Sequence, residues 1–332
     1  MKDILNRLFE HHTFSAIESR TILIDLASGK FNSSEMAGFL TAFCMRSPTV
    51  EELRGFRDAM LELCIRVDLS SYKAIDMCGT GGDGKHTFNI STLASFVLAG
   101  AGYKVAKHGN YGVSSLSGSS NVMEYFGYKF TNDISLIHKS LDQAGLCFLH
   151  APLFHPAMKT IGPVRRELGV KTFFNMLGPM VNPASPGYQL VGVFSLELAR
   201  LYYYLYQNSG KHFSIVHSLD GYDEISLTSD IKNFSNKGER LIKKESICIT
   251  PINANAISGG SSAESSASIF YRILEGKGTI EQNLVVCWNA AFGIQCLFPE
   301  KDLELCYQEA VDSLKGGKAL NRFKKLLEIS AG

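Results

Sequence analysis

Glycine crowding between residues 79 and 127 constrains this chain more than any other feature of its sequence. Ten of the 30 glycines lie in this stretch, which is about three times the density expected from average usage. The segment Cys78-Gly-Thr-Gly-Gly-Asp-Gly84 follows the strand candidate KAIDMC and precedes small residues that begin a helix. Glycines there let backbone N–H groups face a ligand, and a helix N-terminus adds positive potential. The segment therefore predicts a phosphate or pyrophosphate site.

A second stretch repeats the order of strand, glycine loop and helix. Lys107-His-Gly-Asn-Tyr-Gly-Val-Ser-Ser115 ends the strand candidate YKVAKH, and Gly118-Ser-Ser-Asn121 follows it. We expect its N–H groups and hydroxyls to surround the same anion, with Lys107 supplying a mobile charge.

Two other interpretations of the first loop remain open at this point. Gly79 to Lys85 spells G-x-x-x-x-G-K, as in a Walker A loop, but the next residue is His86 where such a loop needs a Ser or Thr hydroxyl for Mg²⁺. The second interpretation is a structural turn that binds no ligand, although so many glycines lose conformational entropy on folding.

The first seventy residues are predicted to form about four helices. Three capping-box pairs, Ser15 with Glu18, Asn32 with Glu35 and Thr49 with Glu52, each place an acid three residues after a short polar residue. Apolar residues between them recur at helical spacing and predict core packing. These predicted core residues are Ile17, Ile22, Leu23, Leu26, Phe39, Leu40 and Phe43.

From Tyr72 onward the sequence predicts an α/β fold with a mostly parallel sheet. The strand candidates KAIDMC, YKVAKH, LCFLHA, YQLVGVF and HFSIVHS alternate with helical segments such as 133–144 and 195–207. A Pro/Gly-punctuated stretch near 156–186 interrupts this alternation and is long enough to return to the N-terminal helices. We therefore expect a small helical domain over 1–70 with a returning segment at about 163–188, and an α/β domain over 71–162 and 189–332.

Charge and cysteine content exclude several classes of protein. The 33 Lys and Arg residues against 32 Asp and Glu residues give a net charge of +1, so neither nucleic acid nor an anionic membrane is expected as a partner. The eight cysteines form no C-x-x-C pair, and neither a signal peptide nor a long apolar run is evident. We expect a reduced, cytoplasmic protein.

The motifs GTGGDGKHTFNIST, KHGNYGVSS, RRELGVKTFFNMLGPMVNP and DGYDEISLT strongly resemble those of the anthranilate phosphoribosyltransferases of tryptophan biosynthesis. The similarity extends to the GGSSAESSA loop and the WNAA string, nearly end to end. It implies a small helical domain beside a larger α/β domain, a homodimer, and Mg²⁺-assisted transfer of the 5-phosphoribosyl group of phosphoribosyl pyrophosphate to the amine of anthranilate.

The resemblance also implies site residues, and it assigns none of them as an acid or base. The positions that match the family's phosphoribosyl pyrophosphate site are Gly79, Gly82, Asp83, Thr87, Asn89, Ile90, Ser91, Thr92, Lys107, Ser115 and Ser119. Those that match its anthranilate site are Gly79, His108, Asn110, Arg165 and Gly178. Those that match its Mg²⁺ ligands are Ser91, Asp223 and Glu224.

The second loop departs from the family pattern at two positions. Tyr111 stands where Arg is common and Asn121 where Asp is common, and we expect the two lost charges to compensate. A pyrimidine nucleoside phosphorylase-like enzyme and a non-catalytic nucleic-acid-binding relative are the alternatives. Retention of Arg165 disfavours the first, and the Asp223-Glu224 pair with the low net charge disfavours the second.

Overall fold

The computed structural model describes residues 1–112 and 118–332, and within them the chain forms two compact units. The helical unit comprises 1–67 and 151–183, and the α/β unit comprises 68–150 and 184–332. The helices of the helical unit are α1 (Lys2–Phe9), α2 (Ala16–Ala27), α3 (Ser33–Met45), α4 (Val50–Glu62), α8 (Ala151–Phe154), α9 (Met158–Leu168) and α10 (Phe174–Leu177), followed by a 3-10 turn at Gly178–Val181. No helix in the described part of the chain is long and apolar enough to cross a membrane.

The α/β unit contains one sheet flanked by helices. Its strands are β1 (Ala74–Gly79), β2 (Lys104–Gly109), β3 (Leu146–His150), β4 (Tyr188–Gly192), β5 (His212–Ser218), β6 (Ile231–Ser235) and β7 (Gly238–Ile242). Its helices are α5 (Ile90–Gly100), α6 (Ser119–Tyr125), α7 (Ile134–Ala144), α11 (Leu196–Gln207), α12 (Ala263–Leu274), α13 (Ile280–Leu297), α14 (Leu303–Lys315) and α15 (Lys318–Ala331), and 3-10 turns lie at Lys244–Ser246 and Ala254–Ile257.

The four predicted N-terminal helices are present, and side chains cap three of them as predicted. Ser15, Asn32 and Thr49 each accept a hydrogen bond from the backbone N–H of the acid three residues later, and each acid bonds back to the cap residue's own N–H. Such reciprocal pairing satisfies the orphan donors of a helix N-terminus. The first seventy residues are thus helical for local reasons.

Ile17 contradicts the predicted core, because its side chain is 77% exposed. Ile22 and Leu26 of the same helix are buried. At 100° per residue, Ile17 lies 140° around the helix from Ile22, whereas Leu26 lies only 40° from it. A spacing of five residues thus places Ile17 away from the buried face.

An aromatic cluster explains why the central segment belongs to the helical unit. Phe173 stacks on Phe56 with ring centroids 4.3 Å apart, and it meets Phe39 and Phe43 edge-on. The unit takes in residues 151–183, where the sequence suggested 163–188. The earlier start has a physical reason, since the Phe154 carbonyl accepts a 2.8 Å hydrogen bond from the Ile65 N–H.

The sheet order is β3-β2-β1-β4-β5-β6-β7, and the first five strands run parallel. These five match the strand candidates of the sequence, so the predicted α/β class is confirmed. The antiparallel strands β6 and β7 were not predicted. The chain runs from β1 outward to β2 and β3 and then returns to the other side of β1 with β4. In open α/β sheets, ligands bind at such a switch point, outside the carboxyl ends of the strands.

Candidate active site

The switch point between β1 and β4 is lined by two glycines in register. Gly79 pairs with Gly192 at the carboxyl ends of these strands. A Cβ on Gly192 would lie 1.5 Å from the Asp223 carbonyl oxygen, and one on Gly79 would lie 2.6 Å from Asp223 Oδ2. Side chains at either position would collide with Asp223, so the two glycines leave room for Asp223 at this end of the sheet.

The glycine loop after β1 turns through left-handed backbone. Gly81, Gly82 and Gly84 have φ values of 63°, 78° and 73°, which glycine adopts without steric cost. The Gly81 N–H donates to Asp223 Oδ2 at 2.6 Å, and Asp83 Oδ1 accepts from the Lys85 N–H. The loop is therefore fastened to an acid that is 142 residues away in sequence.

Glu224 lies at the N-terminus of α5, where the sequence predicted an anion. Its carboxylate accepts a 3.0 Å hydrogen bond from the Ser91 N–H and one of 3.2 Å from Thr87 Oγ1. Asn89 occupies the cap position of this helix, and Ile90 begins it. In this structure a carboxylate of the chain itself takes the anion position.

Three carboxylates crowd this end of the sheet. Burial, and then the charge of Glu224, raises the pKa of Asp223 well above its ordinary value. Burial, and then the charge of Asp83, likewise raises the pKa of Glu224. The charge of Asp83 and a side-chain hydrogen bond with it also raise the pKa of Asp223. Such crowding of negative charge favours a cation among these groups.

Lys107 is a cation beside these acids. It is only 2% exposed, and its Nζ donates to the Met77 carbonyl oxygen at 2.5 Å and to Ser91 Oγ at 3.4 Å. Burial lowers its pKa, and the charges of neighbouring acids, Glu224 among them, oppose that effect. Thr92 Oγ1, on the next residue of α5, is buried and has no hydrogen-bond partner among the described residues.

The second loop begins where β2 ends. His108 is buried in β2, and its N–H donates to Asp76 Oδ1 at 3.1 Å. Asn110 follows the strand, and its carbonyl oxygen accepts from Ser119 Oγ at 3.3 Å. The loop thus closes back onto the start of α6. The predicted site residue Ser115 lies outside the described residues.

The α/β unit thus gathers most of the predicted site residues. A cavity at the ends of β1, β4 and β5 is lined by Gly79, Ser91, Asp223 and Glu224, among others. Among the described residues, no three His, Cys, Asp or Glu side chains converge as a ready metal-binding cluster.

Arg165 and Gly178 belong to the helical unit. The Arg165 guanidinium lies over the Phe174 ring at 4.9 Å and donates to Asn175 Oδ1 at 3.4 Å. Burial lowers its pKa to about 10, so it remains charged at neutral pH. Within the described residues Arg165 forms no ion pair, which leaves its charge for a ligand. Gly178 directly follows α10.

Three residues that sequence reasoning missed support the site. Asp76 accepts a hydrogen bond from the His108 N–H, and Gly192 leaves room for Asp223 because it has no side chain. Asn289 of α13 bonds to both the N–H and the carbonyl of Ile225, beside Glu224. An acid inside the apolar string KAIDMC and an amide inside WNAA were the available signals. Both are buried polar groups, which need partners from elsewhere in the fold.

Comparison with known proteins places this geometry in a family. The helical bundle domain of a glycosyl transferase family matches residues 2–64, and the a/b domain of that family matches residues 71–320. The chain is 59% identical to the anthranilate phosphoribosyltransferase of Christiangramia forsetii, over 99% of each chain. It is 60% identical to that of Flavobacterium johnsoniae, over 99% of this chain and 100% of the relative. The chain belongs to the anthranilate phosphoribosyltransferase family.

Solved structures of anthranilate phosphoribosyltransferases share the fold. The Thermus thermophilus protein has a TM-score of 0.91 at 29% identity, with 99% of this chain and 100% of that chain covered. The Saccharomyces cerevisiae protein, in complex with PRPP and Mg, has a TM-score of 0.90 at 24% identity, with 99% and 97% covered. The predicted family, its class of enzyme and its place in tryptophan biosynthesis are confirmed.

Proposed function

We propose that the described geometry serves transfer of the 5-phosphoribosyl group of phosphoribosyl pyrophosphate to the amine of anthranilate, with release of pyrophosphate. The observation that carries this proposal is the convergence of the glycine loop, Lys107 and the Asp223-Glu224 pair at one end of the sheet. Phosphate recognition needs backbone donors and cations close together.

The phosphoribosyl pyrophosphate would lie along the loop after β1 and the start of α5. The loop backbone can approach this substrate closely at the turn formed by Gly79, Gly82 and Asp83. Hydroxyl and amide groups are supplied by Thr87, Asn89, Ser91 and Thr92. Thr92 Oγ1 is buried and has no partner within 1–112 and 118–332, which supports this assignment because such a hydroxyl gains a hydrogen bond from a ligand. Ile90 and Ser119 would line the same substrate, and Ser115 is assigned to it from the motif alone.

Mg²⁺ fits this donor set. Asp223 is buried and Glu224 is half-buried. The pKa values of both carboxyl groups are raised, and a divalent cation would relieve the repulsion that contributes to the shifts. Mg²⁺ characteristically uses one or two carboxylates, waters and substrate phosphates, so it does not require a cluster of three acids. Asp223, Glu224 and Ser91 would hold it, and when bound it would neutralise charge on the pyrophosphate oxygens.

The anthranilate would be held through its carboxylate by Arg165, whose planar fork suits a planar acid. Gly79, His108, Asn110 and Gly178 are assigned to the aromatic ring or amine of anthranilate from their match to the family's motifs. The guanidinium is pre-oriented by Phe174 and Asn175. Pre-orientation reduces the entropy lost on binding.

The chain's own residues position substrates rather than remove protons. As pyrophosphate leaves, positive charge builds on the ribose, as in glycoside cleavage. Lys107 stabilises the negative charge that develops on the leaving group, and Arg165 and Asn110 orient the anthranilate amine, which is a neutral nucleophile at pH 7. No residue is assigned as a general base.

The test is loss of anthranilate fluorescence when protein, phosphoribosyl pyrophosphate and Mg²⁺ are mixed. We expect EDTA to abolish the decay and Arg165→Ala to raise the anthranilate KM about 10- to 100-fold, the loss expected of a charged hydrogen-bonded pair. Arg166→Ala is the matched control, since Arg166 is the exposed neighbour, and should leave KM unchanged. Absence of decay with folded protein, together with phosphate-dependent cleavage of a pyrimidine nucleoside, would establish the phosphorylase alternative instead.

A homodimer and a cytoplasmic location belong to the same proposal. Phe9, Ile17 and Met45 of α1, α2 and α3 are 65%, 77% and 89% exposed, as expected of helices that pack against a second copy. All eight cysteines are free, which suits a reducing compartment. Sedimentation equilibrium should give twice the 36.5 kDa chain mass, and Ile17→Glu should shift the equilibrium toward monomer.

A further inference from the structure

Asn121 occupies a central position at the described ends of the second glycine loop. Its Oδ1 accepts a 3.0 Å hydrogen bond from the Gly112 N–H and a 2.9 Å hydrogen bond from the Gly118 N–H. A single side-chain oxygen therefore joins the residues that follow β2 to the residue that caps α6. Asn121 is itself the third residue of α6, so its backbone is fixed by the helix.

The two glycines that Asn121 joins are in direct contact. A Cβ on Gly118 would lie 2.2 Å from the Gly112 nitrogen and 2.7 Å from its Cα. Backbone packing this close leaves no room for a side chain on Gly118. The amide oxygen of Asn121 gives both N–H groups an acceptor at this contact. The Gly118 N–H is part-buried, so leaving it without an acceptor would carry a desolvation cost.

Two candidate substrate-binding residues, Asn110 and Ser119, are hydrogen-bonded to each other. The Asn110 carbonyl oxygen accepts from Ser119 Oγ at 3.3 Å and from the Ser120 N–H at 3.1 Å. Asn110 Oδ1 accepts from the Tyr111 N–H at 2.8 Å. The end of β2 and the start of α6 are therefore linked at Asn110 and again at Asn121, and loss of the Asn121 link would leave the Asn110 link as their remaining described hydrogen-bonded connection.

In this chain Tyr111 and Asn121 have different partners. The Tyr111 hydroxyl donates to Glu124 Oε1 at 3.3 Å, and the Tyr111 ring packs edge-on against His150 with centroids 5.0 Å apart. Asn121 Oδ1 is engaged by backbone. The useful property at position 121 is thus an oxygen acceptor of this length, which Asn and Asp share.

We infer that Asn121 is a positioning residue for the proposed reaction: by joining Gly112 to Gly118 it fixes Asn110 and Ser119 where the substrates bind. This inference rests on the proposed function. It assigns the departure from the family pattern a chemical meaning, because Asn retains the acceptor and removes only the charge.

The test compares Asn121→Leu, which has similar size and no acceptor, with Asn121→Asp, which keeps the acceptor. We expect Asn121→Leu to raise the KM for phosphoribosyl pyrophosphate at least tenfold while kcat changes less than about threefold. Asn121→Asp should keep KM within about threefold of the native chain. In Asn121→Leu, amide hydrogen exchange should accelerate at Gly112 and Gly118 and stay unchanged in α13.

The possible failures are distinguishable. A native chain with no activity on anthranilate and phosphoribosyl pyrophosphate refutes the proposed function, whereas an active native chain with an unchanged KM in Asn121→Leu refutes only the role of Asn121. Equal loss in the Leu and Asp variants at both low and high salt also overturns it, since salt screens any effect of the added charge. If Asn121→Leu does not fold, Asn121→Ala gives the same comparison, because alanine also lacks a side-chain acceptor.

Discussion

Glu52 provides the sharpest prediction about the helical unit, which carries Arg165. Its side chain is fully buried, and its two oxygens accept hydrogen bonds from Arg46 Nη2 and Nη1 at 2.6 and 2.8 Å. They also accept from the backbone N–H groups of Phe14 at 3.0 Å and Thr49 at 2.8 Å. One carboxylate therefore joins Phe14, which precedes the cap residue of α2, to Arg46 at the end of α3 and to Thr49 at the start of α4.

Glu52→Gln keeps the size of the side chain, removes its charge and turns an amide NH₂ toward donors. Removing one partner of a buried ion pair costs about 3–5 kcal/mol, because the remaining charge stays buried without compensation. That is a large share of the total stability of a typical domain, about 5–15 kcal/mol. We therefore expect a loss of about 3–5 kcal/mol in the free energy of unfolding at pH 7.

Urea unfolding followed by circular dichroism at pH 7 measures this loss. Glu51→Gln is the matched control, because Glu51 is the neighbouring acid in the same helical turn and its ion pair with Arg54 is exposed. Exposed pairs contribute at most about 1 kcal/mol. Fluorescence of Trp288, the single tryptophan, reports separately on the α/β unit. Equal, small losses in the two variants would refute the argument.

The pH dependence provides a second check on Glu52. Burial raises its pKa, but the hydrogen bonds from Arg46 and from the backbone of Thr49 and Phe14 outweigh burial and leave the pKa below the ordinary 4.5. A carboxylate with a lowered folded-state pKa stabilises the protein above its unfolded-state pKa, and that contribution is lost as pH falls through the folded value. The difference between the native chain and Glu52→Gln should therefore shrink below pH 4.5.

Three further predictions concern the candidate active site. Gly192→Ala should lower kcat/KM at least about 100-fold, since its Cβ would lie 1.5 Å from the Asp223 carbonyl oxygen. Gly187→Ala is the control and should have native kinetics, because nothing lies within 4 Å of its Cβ. A fully active Gly192→Ala variant would contradict the packing. A Cβ on Gly178 would also have nothing within 4 Å, so calorimetry of Gly178→Ala should give a free energy of unfolding within about 1 kcal/mol of that of the native chain. Its anthranilate KM should nevertheless rise, and an unchanged KM would exclude Gly178 from the site. Asp223→Asn should raise the Mg²⁺ concentration for half-maximal activity about tenfold or more, and an unchanged metal titration would exclude Asp223 as a ligand.

Local sequence was sufficient for most of the secondary structure. The capping boxes at Ser15, Asn32 and Thr49 are short-range hydrogen-bond patterns, and the structure contains each of them. The helical segments predicted at 133–144 and 195–207 are also present, as α7 and α11. The hairpin of β6 and β7 was not predicted. Its outer strand is largely exposed, so it lacks the apolar signal that marked the five buried parallel strands.

The sequence by itself determined where the chain turns, because glycine at left-handed φ and polar residues at helix starts act on their immediate neighbours. Only the tertiary structure decided which distant groups meet. Asp223 reaches the Gly81 N–H, and Glu224 reaches the start of α5, across more than 130 residues. Gly192 matters only because β4 lies beside β1. Such contacts depend on strand order and register, which involve the whole sheet, and no local pattern of residues contains that information.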